Sequence, residues 1–281
     1  MSTHLLLAVA GHTVATITEA VWALAVQQGI PLAELRLLAT RSSRERLEPE
    51  LRAALQRLQT DYPKAAVPQT VTWRVFRIGK KEPDDIRSSA DNEQLSDWIL
   101  QETREACLDP ESTVHASLAG GRKTMSFYLG AAIQLCARPQ DRLYHVLVDS
   151  AFEVPGFLFP RPKNAADALI TARNGETLDT RNAKVELAEV PFLRLQPLIP
   201  KESTLSRTFR QLIQLADDTI GSQYADVSLV VPESGKSGSA RIQFRFPDKP
   251  VLELSYAKID TTEFLFYSWL LYRSARELPP A

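Results

Sequence analysis

The sequence predicts an α/β protein: a mainly parallel sheet with helices on both faces, followed by a small winged-helix-like C-terminal module. Three observations carry this. The apolar run His4–Ala10 stops at Gly11, as a strand buried on both faces does. Helical and strand-like periodicities then alternate over residues 13–148, which is the pattern of a Rossmann-like sheet. Beyond Pro197 and Pro200 the order changes to helix, hairpin and helix.

Each element has its own local reason. After the first strand, Ile17, Ala20, Val21, Leu24 and Ala25 share one helical face over residues 13–28, and Gly29 with Pro31 ends that helix. Glu34–Thr40 reads as the second strand and Arg44–Leu58 as a charged amphipathic helix. Val71–Ile78 alternates as a third strand, and Asp91–Cys107 carries Leu95, Trp98 and Ile99 at helical spacing. Val114–Ala119 is the fourth strand, followed by Gly120-Gly121-Arg122-Lys123-Thr124 and a helix to Ala137; Leu143–Val148 is the fifth. The Pro-, Asn- and Gly-rich stretch at about 155–183 reads as an irregular excursion, after which Lys184–Leu195 returns to strand-like alternation. The expected division is residues 1–200 and 201–281. The second part has a helix at Leu205–Ile220, strands at Val227–Val231 and Ala240–Phe246, and a last helix opened by a capping box of Asp260 and Glu263.

Composition narrows the function. There are 33 Lys and Arg against 34 Asp and Glu, a net charge of −1, so a large polyanion or an anionic membrane surface is not the expected partner. Two cysteines, Cys107 and Cys136, provide neither a disulfide framework nor a Cys-rich metal site and read as buried free thiols. The leading apolar run is too short for a bilayer and lacks the flanks of a signal peptide, so a cytoplasmic protein is expected. His4, His115 and His145 fall in strands and read as structural. No spacing of His, Asp and Glu resembles a metal site, and neither metal nor cofactor is expected.

Two loops carry the chemistry. In an open α/β sheet, ligands sit beyond the carboxyl ends of the strands where strand order reverses. Gly11-His12-Thr13 follows the first strand and Gly120-Gly121-Arg122-Lys123-Thr124 the fourth, and both open a helix, where free N–H groups and a positive dipole end are presented. In a sheet that winds outward both ways from its first strand, those two loops converge. Arg122 and Lys123 at a helix start oppose the macrodipole by roughly 0.3–1 kcal/mol each, and an anion there reverses the sign. A solvated turn with incidental cations remains the open alternative on spacing alone. A Walker A loop needs Gly directly before Lys-Thr, where Arg122 stands, and a dinucleotide fingerprint needs GxGxxG where only Gly11 is present. ATPase and nicotinamide-dependent chemistry are therefore disfavoured.

The segment SLAGGRKTMSFYLGAAIQLCARPQDRLYHVLV resembles the central segment of CARF (CRISPR-associated Rossmann fold) proteins, in particular the CRISPR ring nucleases of type III systems. LLLAVAGHTVATITEAVWALA is similar to that family's opening, LDTRNAKVELAEVPFLRL to its third segment and LSYAKIDTTEFLFYSWLLYRSA to its C-terminal module. The resemblance implies a homodimer that binds cyclic oligoadenylate, most often the tetra-adenylate, across its twofold axis and linearises it, switching off the CRISPR response. Carried over, it places Gly11, His12, Thr13, Ala119, Gly120, Gly121, Arg122, Lys123 and Thr124 at the ligand. Lys123, Arg122, His12 and Thr13 are the catalytic candidates. Thr13 keeps the hydroxyl of the family's usual Ser, whereas His12, Val14 and Ala15 depart from its usual LSPQ. Cleavage needs no metal in this scheme: a ribose 2′-OH is the internal nucleophile, the two cations stabilise phosphoryl charge, and His12 serves as acid or base.

Other activities of such proteins fit less well. No histidine follows His145, which excludes a HEPN ribonuclease, and Asp248 with Glu253 and Ser255 is a poor restriction-type nuclease signature. A ligand-controlled winged-helix regulator is the rival reading. Residues 201–281 hold ten Lys and Arg against ten Asp and Glu, without the basic surplus that DNA binding requires. A sensor that binds the messenger without cutting it is the other alternative.

Overall fold

The computed structural model describes residues 3–172, 174–198, 207–222, 226–230, 241–245 and 252–255. The chain divides into two compact units, Met1–Leu212 and Ile213–Ala281.

The first unit is built on a six-stranded sheet of order β3-β2-β1-β4-β5-β8. β1 (Thr3–Val9), β2 (Leu32–Ala39), β3 (Thr70–Val75), β4 (Ser112–Ser117) and β5 (Arg142–Val148) are mutually parallel, and β8 (Val185–Glu189) joins the β5 edge antiparallel. The strand order reverses at β1, which pairs β2 on one side and β4 on the other. The sheet is therefore Rossmann-like, as the alternation of periods requires. β1 is apolar throughout because both its faces are covered. Leu6, Ala8 and Ala10 join the core beneath α1 (Ala15–Trp22) and α2 (Arg41–Asp61). The alternate residues Leu5, Leu7 and Val9 are equally buried on the face covered by α3 (Ser89–Ala106) and α4 (Lys123–Cys136).

Local chemistry moves several boundaries. Thr40 does not continue β2: its hydroxyl accepts from the Ser43 N–H at 3.4 Å and caps α2, which starts three residues before the charged pattern becomes periodic. The first helix is regular only to Trp22, and Ala23–Gln27 continue as a π-helical turn closed by Gln28 N–H to the Ala23 carbonyl at 3.0 Å. Ser88 and Asp91 form a reciprocal capping box on α3. Cys107 and Cys136 stand free at the ends of α3 and α4, and burial pushes both thiols up, Cys136 to about 12. His4 Nδ1 and His115 Nε2 pair across β1 and β4 at 3.0 Å, a structural role.

The excursion remains part of the first unit and buries aromatic anchors in it. It contains the hairpin β6 (Leu169–Thr171) and β7 (Thr177–Asp179), and Phe157 and Phe159 are each only 1% exposed. Long-range contacts pin it: Thr18 donates to the Leu158 carbonyl at 2.6 Å, Tyr62 to the Pro160 carbonyl at 2.7 Å, Arg161 pairs with Asp61, and Arg57 pairs with Asp167. Its aromatic side chains offset the polar composition, a balance that window averages conceal. Strand Val185–Glu189 is shorter than Lys184–Leu195 because Pro191 ends the ladder.

At the opposite end of the sheet, Asp141 is fully buried. It accepts from the Val114 N–H at 2.9 Å and from the Arg138 N–H and side chain at 2.7–2.9 Å, while Arg138 also donates to the Ser112 carbonyl at 2.9 Å and to that of Asp109. This cluster ties the start of β4 to the α4–β5 turn.

The second unit contains most of α5 (Phe209–Ser222) and an antiparallel sheet of order β11-β10-β9, with β9 at Asp226–Val230, β10 at Arg241–Arg245 and β11 at Leu252–Ser255. The expected hairpin is present, and β11 adds a strand that sequence patterning did not identify. The expected Asp260–Glu263 capping box and last helix lie outside the described residues. Removing Asp141 leaves Arg138 as an uncompensated, largely buried charge. Asp141→Ala is expected to lose about 3–5 kcal/mol of stability, measured by denaturant unfolding.

Candidate functional site

The β1 and β4 loops meet backbone to backbone. A Cβ on Gly11 would lie 2.5 Å from the Gly121 nitrogen, and one on Gly120 would lie 2.6 Å from the Val9 carbonyl oxygen. Gly120 and Gly121 both have positive φ, 109° and 69°, so the turn that brings them against β1 is one that L side chains rarely adopt. Ser126 donates to the Gly120 carbonyl at 2.8 Å and holds the loop on the first turn of α4. The convergence expected of the two loops is thus realised by the three glycines.

A cleft of about 680 Å³ opens beside this junction. From β1 and α1 come His12, Thr13, Ala15, Thr16 and Glu19; from α2, Arg46 and Glu50; from the β4 loop, Ala119 and Gly120. β5 contributes His145–Val148, and the start of the excursion contributes Phe152–Phe157. Thr13 accepts from the Ala15 N–H at 3.2 Å and orders the start of α1. Arg46 donates to the His12 carbonyl and approaches His12 Nδ1 at 3.4 Å, so α2 anchors the β1 loop. A second cavity, about 550 Å³ between α2 and β3, is lined by Leu51, Leu55, Val71 and Trp73 and lies away from the loop junction.

The two cations of the β4 loop have different surroundings. Arg122 is the N-cap of α4 rather than a first-turn residue, and its guanidinium is engaged bidentately by Asp85, with Nε to Oδ1 at 2.6 Å. That hydrogen-bonded pair holds the Asp85 carboxyl below its usual range. The counter-anion inferred for Arg122 is therefore supplied by the protein itself. Lys123, at the first helical position, is exposed and has no ion-pair partner among the described residues. Arg122, Lys123 and Thr124 follow Gly120 in the chain but do not line the cleft, and neither do Gly11 and Gly121, which meet at the junction.

Four cleft residues escaped sequence reasoning. His145 is exposed on β5 and faces the cleft, not the core; its place in an alternating strand was the available signal. Arg46 and Glu153 had none, because α2 and the excursion reach the cleft only through tertiary packing. Glu19 sits on the buried face of α1, 4% exposed, and the structure gives its carboxyl no hydrogen-bond donor among the described residues. Burial, aided by the Glu153 carboxylate, raises its pKa from 4.5 to about 7. Among the described residues no three His, Cys, Asp or Glu side chains gather as a metal site, and no helix is long and apolar enough to cross a membrane.

The family model described as CRISPR-associated protein NE0113 matches residues 14–215. The chain belongs to that CRISPR-associated family. No curated protein matches it. Among solved structures, one described as a type III CRISPR defence DNA nuclease activated by cyclic oligoadenylate is similar at 14% identity and a TM-score of 0.35. That alignment covers 90% of this chain and 30% of the other, so the chain spans less than a third of that protein's length.

Two outcomes test this geometry. Gly120→Ala is expected to cost roughly 1–3 kcal/mol from backbone strain and to displace the loop, measured by denaturant unfolding. For Glu19 the folded pKa is raised, so stability is lost as pH rises from 4.5 to about 7, on the order of 3 kcal/mol in full. Glu19→Gln should therefore melt higher than wild type at pH 8 and no higher at pH 4.

Proposed function

We propose that this CRISPR-associated chain is a ring nuclease, binding cyclic oligoadenylate at a homodimer interface and linearising it without a metal ion. The observation that carries the reading is the junction of the β1 and β4 loops, which joins the His12 loop on the cleft lining to the Gly120–Gly121 turn that leads into the amino end of α4 and the unpaired Lys123. Two of the four segments that resemble ring nucleases, the opening and the central one, build this junction. Across a twofold axis, two such loops present two free Lys123 ammonium groups to a small ring of phosphates, and the tetra-adenylate suits that arrangement.

The chemistry follows from what these groups can do. The ribose 2′-OH attacks the adjacent phosphorus, the bond to the 5′ oxygen breaks, and a 2′,3′-cyclic phosphate and a 5′-hydroxyl result. The protein holds the attacking and leaving oxygens in line. Lys123 and the free N–H groups at the start of α4 stabilise the charge on the phosphoryl oxygens. His12 takes or gives the proton, its loop braced by Arg46, and the Thr13 hydroxyl lies one residue away. Arg122, bound to Asp85, acts mainly by fixing the loop and contributes to catalysis only if the ligand displaces that carboxylate.

Incubation with cyclic tetra- and hexa-adenylate in EDTA, followed by chromatography, tests the reading. Linear products ending in a 2′,3′-cyclic phosphate are expected, and Lys123→Ala should slow their formation roughly 100-fold or more. Tight binding without cleavage would overturn the nuclease and leave a sensor. Unchanged cleavage by Lys123→Ala would overturn the role given to that residue.

A further inference from the structure

The lining of the cleft differs in charge from the β4 loop. The exposed cation Lys123 lies outside the cleft lining, whereas the carboxyl groups of Glu19, Glu50 and Glu153 line the cleft together with a single arginine among the described residues, Arg46. A phosphate placed against those carboxylates would be repelled, so the interior is built for another part of a nucleotide. Val146, Val148, Val154 and Pro155 supply apolar wall, which suits a flat ring. At the inner end lies Glu19, 4% exposed, with no donor to its carboxyl among the described residues. The nearby Thr16 hydroxyl oxygen is buried and likewise lacks a partner. A buried hydroxyl oxygen without a partner is costly unless a ligand completes it.

We propose that Glu19 is the base-reading residue of the cleft, using a protonated carboxyl to grip the edge of an adenine. An adenine edge presents one donor, the exocyclic amine, beside one acceptor, a ring nitrogen. A protonated carboxyl presents the complement, an O–H donor and a carbonyl acceptor, whereas a carboxylate is acceptor-only and can satisfy just the amine. Glu19 is held in the form that fits. Burial and the Glu153 carboxylate raise its pKa to about 7, so a large share is neutral at physiological pH without any ligand. The inference rests on the cyclic oligoadenylate reading and divides its labour: the loop junction for phosphate, the carboxylate-lined part of the cleft for base.

Binding then takes up a proton. The charged and titratable groups facing Glu19 are His12 from the β1 loop, Arg46 and Glu50 from α2, His145 from β5 and Glu153 from the excursion. All of them are shared by a Glu19→Gln variant, so a comparison with wild type isolates Glu19. Glutamine offers the same donor and acceptor as the protonated acid at every pH.

The test is calorimetric titration of the full chain with cyclic tetra-adenylate from pH 6 to 9, in buffers of different ionisation enthalpy. Wild type is expected to take up about half a proton more than Glu19→Gln at pH 7. Its affinity should fall about tenfold per pH unit above pH 7 relative to the variant. Glu19→Gln should keep wild-type affinity at pH 6, and Glu19→Ala should lose roughly tenfold or more there. Identical proton uptake and pH profiles in wild type and Glu19→Gln would overturn the role of Glu19 while leaving the ligand assignment intact. No binding of tetra- or hexa-adenylate at any pH would overturn the functional reading, and this inference with it.

Discussion

The structure depends on a contact that side chains would prevent. Gly11 and the Gly120–Gly121 pair bring the ends of β1 and β4 together with no room for a Cβ on either side. Because strand order reverses at β1, this is also where two helix amino ends diverge from the sheet and leave space between them. One packing requirement therefore closes the centre of the sheet and opens the cleft. The loop geometry is a product of backbone proximity, and the charged residues are arranged around it.

Around that junction the protein sorts its charges. Asp85 takes Arg122 and orders the approach to α4, while Lys123, the next residue, is exposed and has no ion-pair partner among the described residues. Arg46 reaches from α2 to brace the His12 carbonyl, so the second βα unit supports the loop of the first. The excursion closes the far wall, anchored through Thr18 and Tyr62, and brings Glu153 near Glu19.

Much of this was legible in the sequence. Five strands and four helices of the first unit follow from apolar periodicity, because both faces of β1 must be buried and each amphipathic helix must cover one of them. The glycine positions marked the converging loops. The roles of Thr40, His145 and the excursion were not legible to the same degree. A hydroxyl can end a strand or cap a helix, a strand histidine can face either way, and an aromatic residue in a polar stretch joins the core only if another element waits for it.

The sequence by itself determined the order of the elements, the two loops and the neutral balance of charge, since these depend on residues a few positions apart. Only the tertiary structure decided which charges are spoken for. Asp85 meets Arg122 across 37 positions, and the excursion meets α1 across 140. Glu19 is an ordinary helical glutamate by local pattern. Its raised pKa depends on the desolvation, and on the charge of Glu153, that the fold imposes.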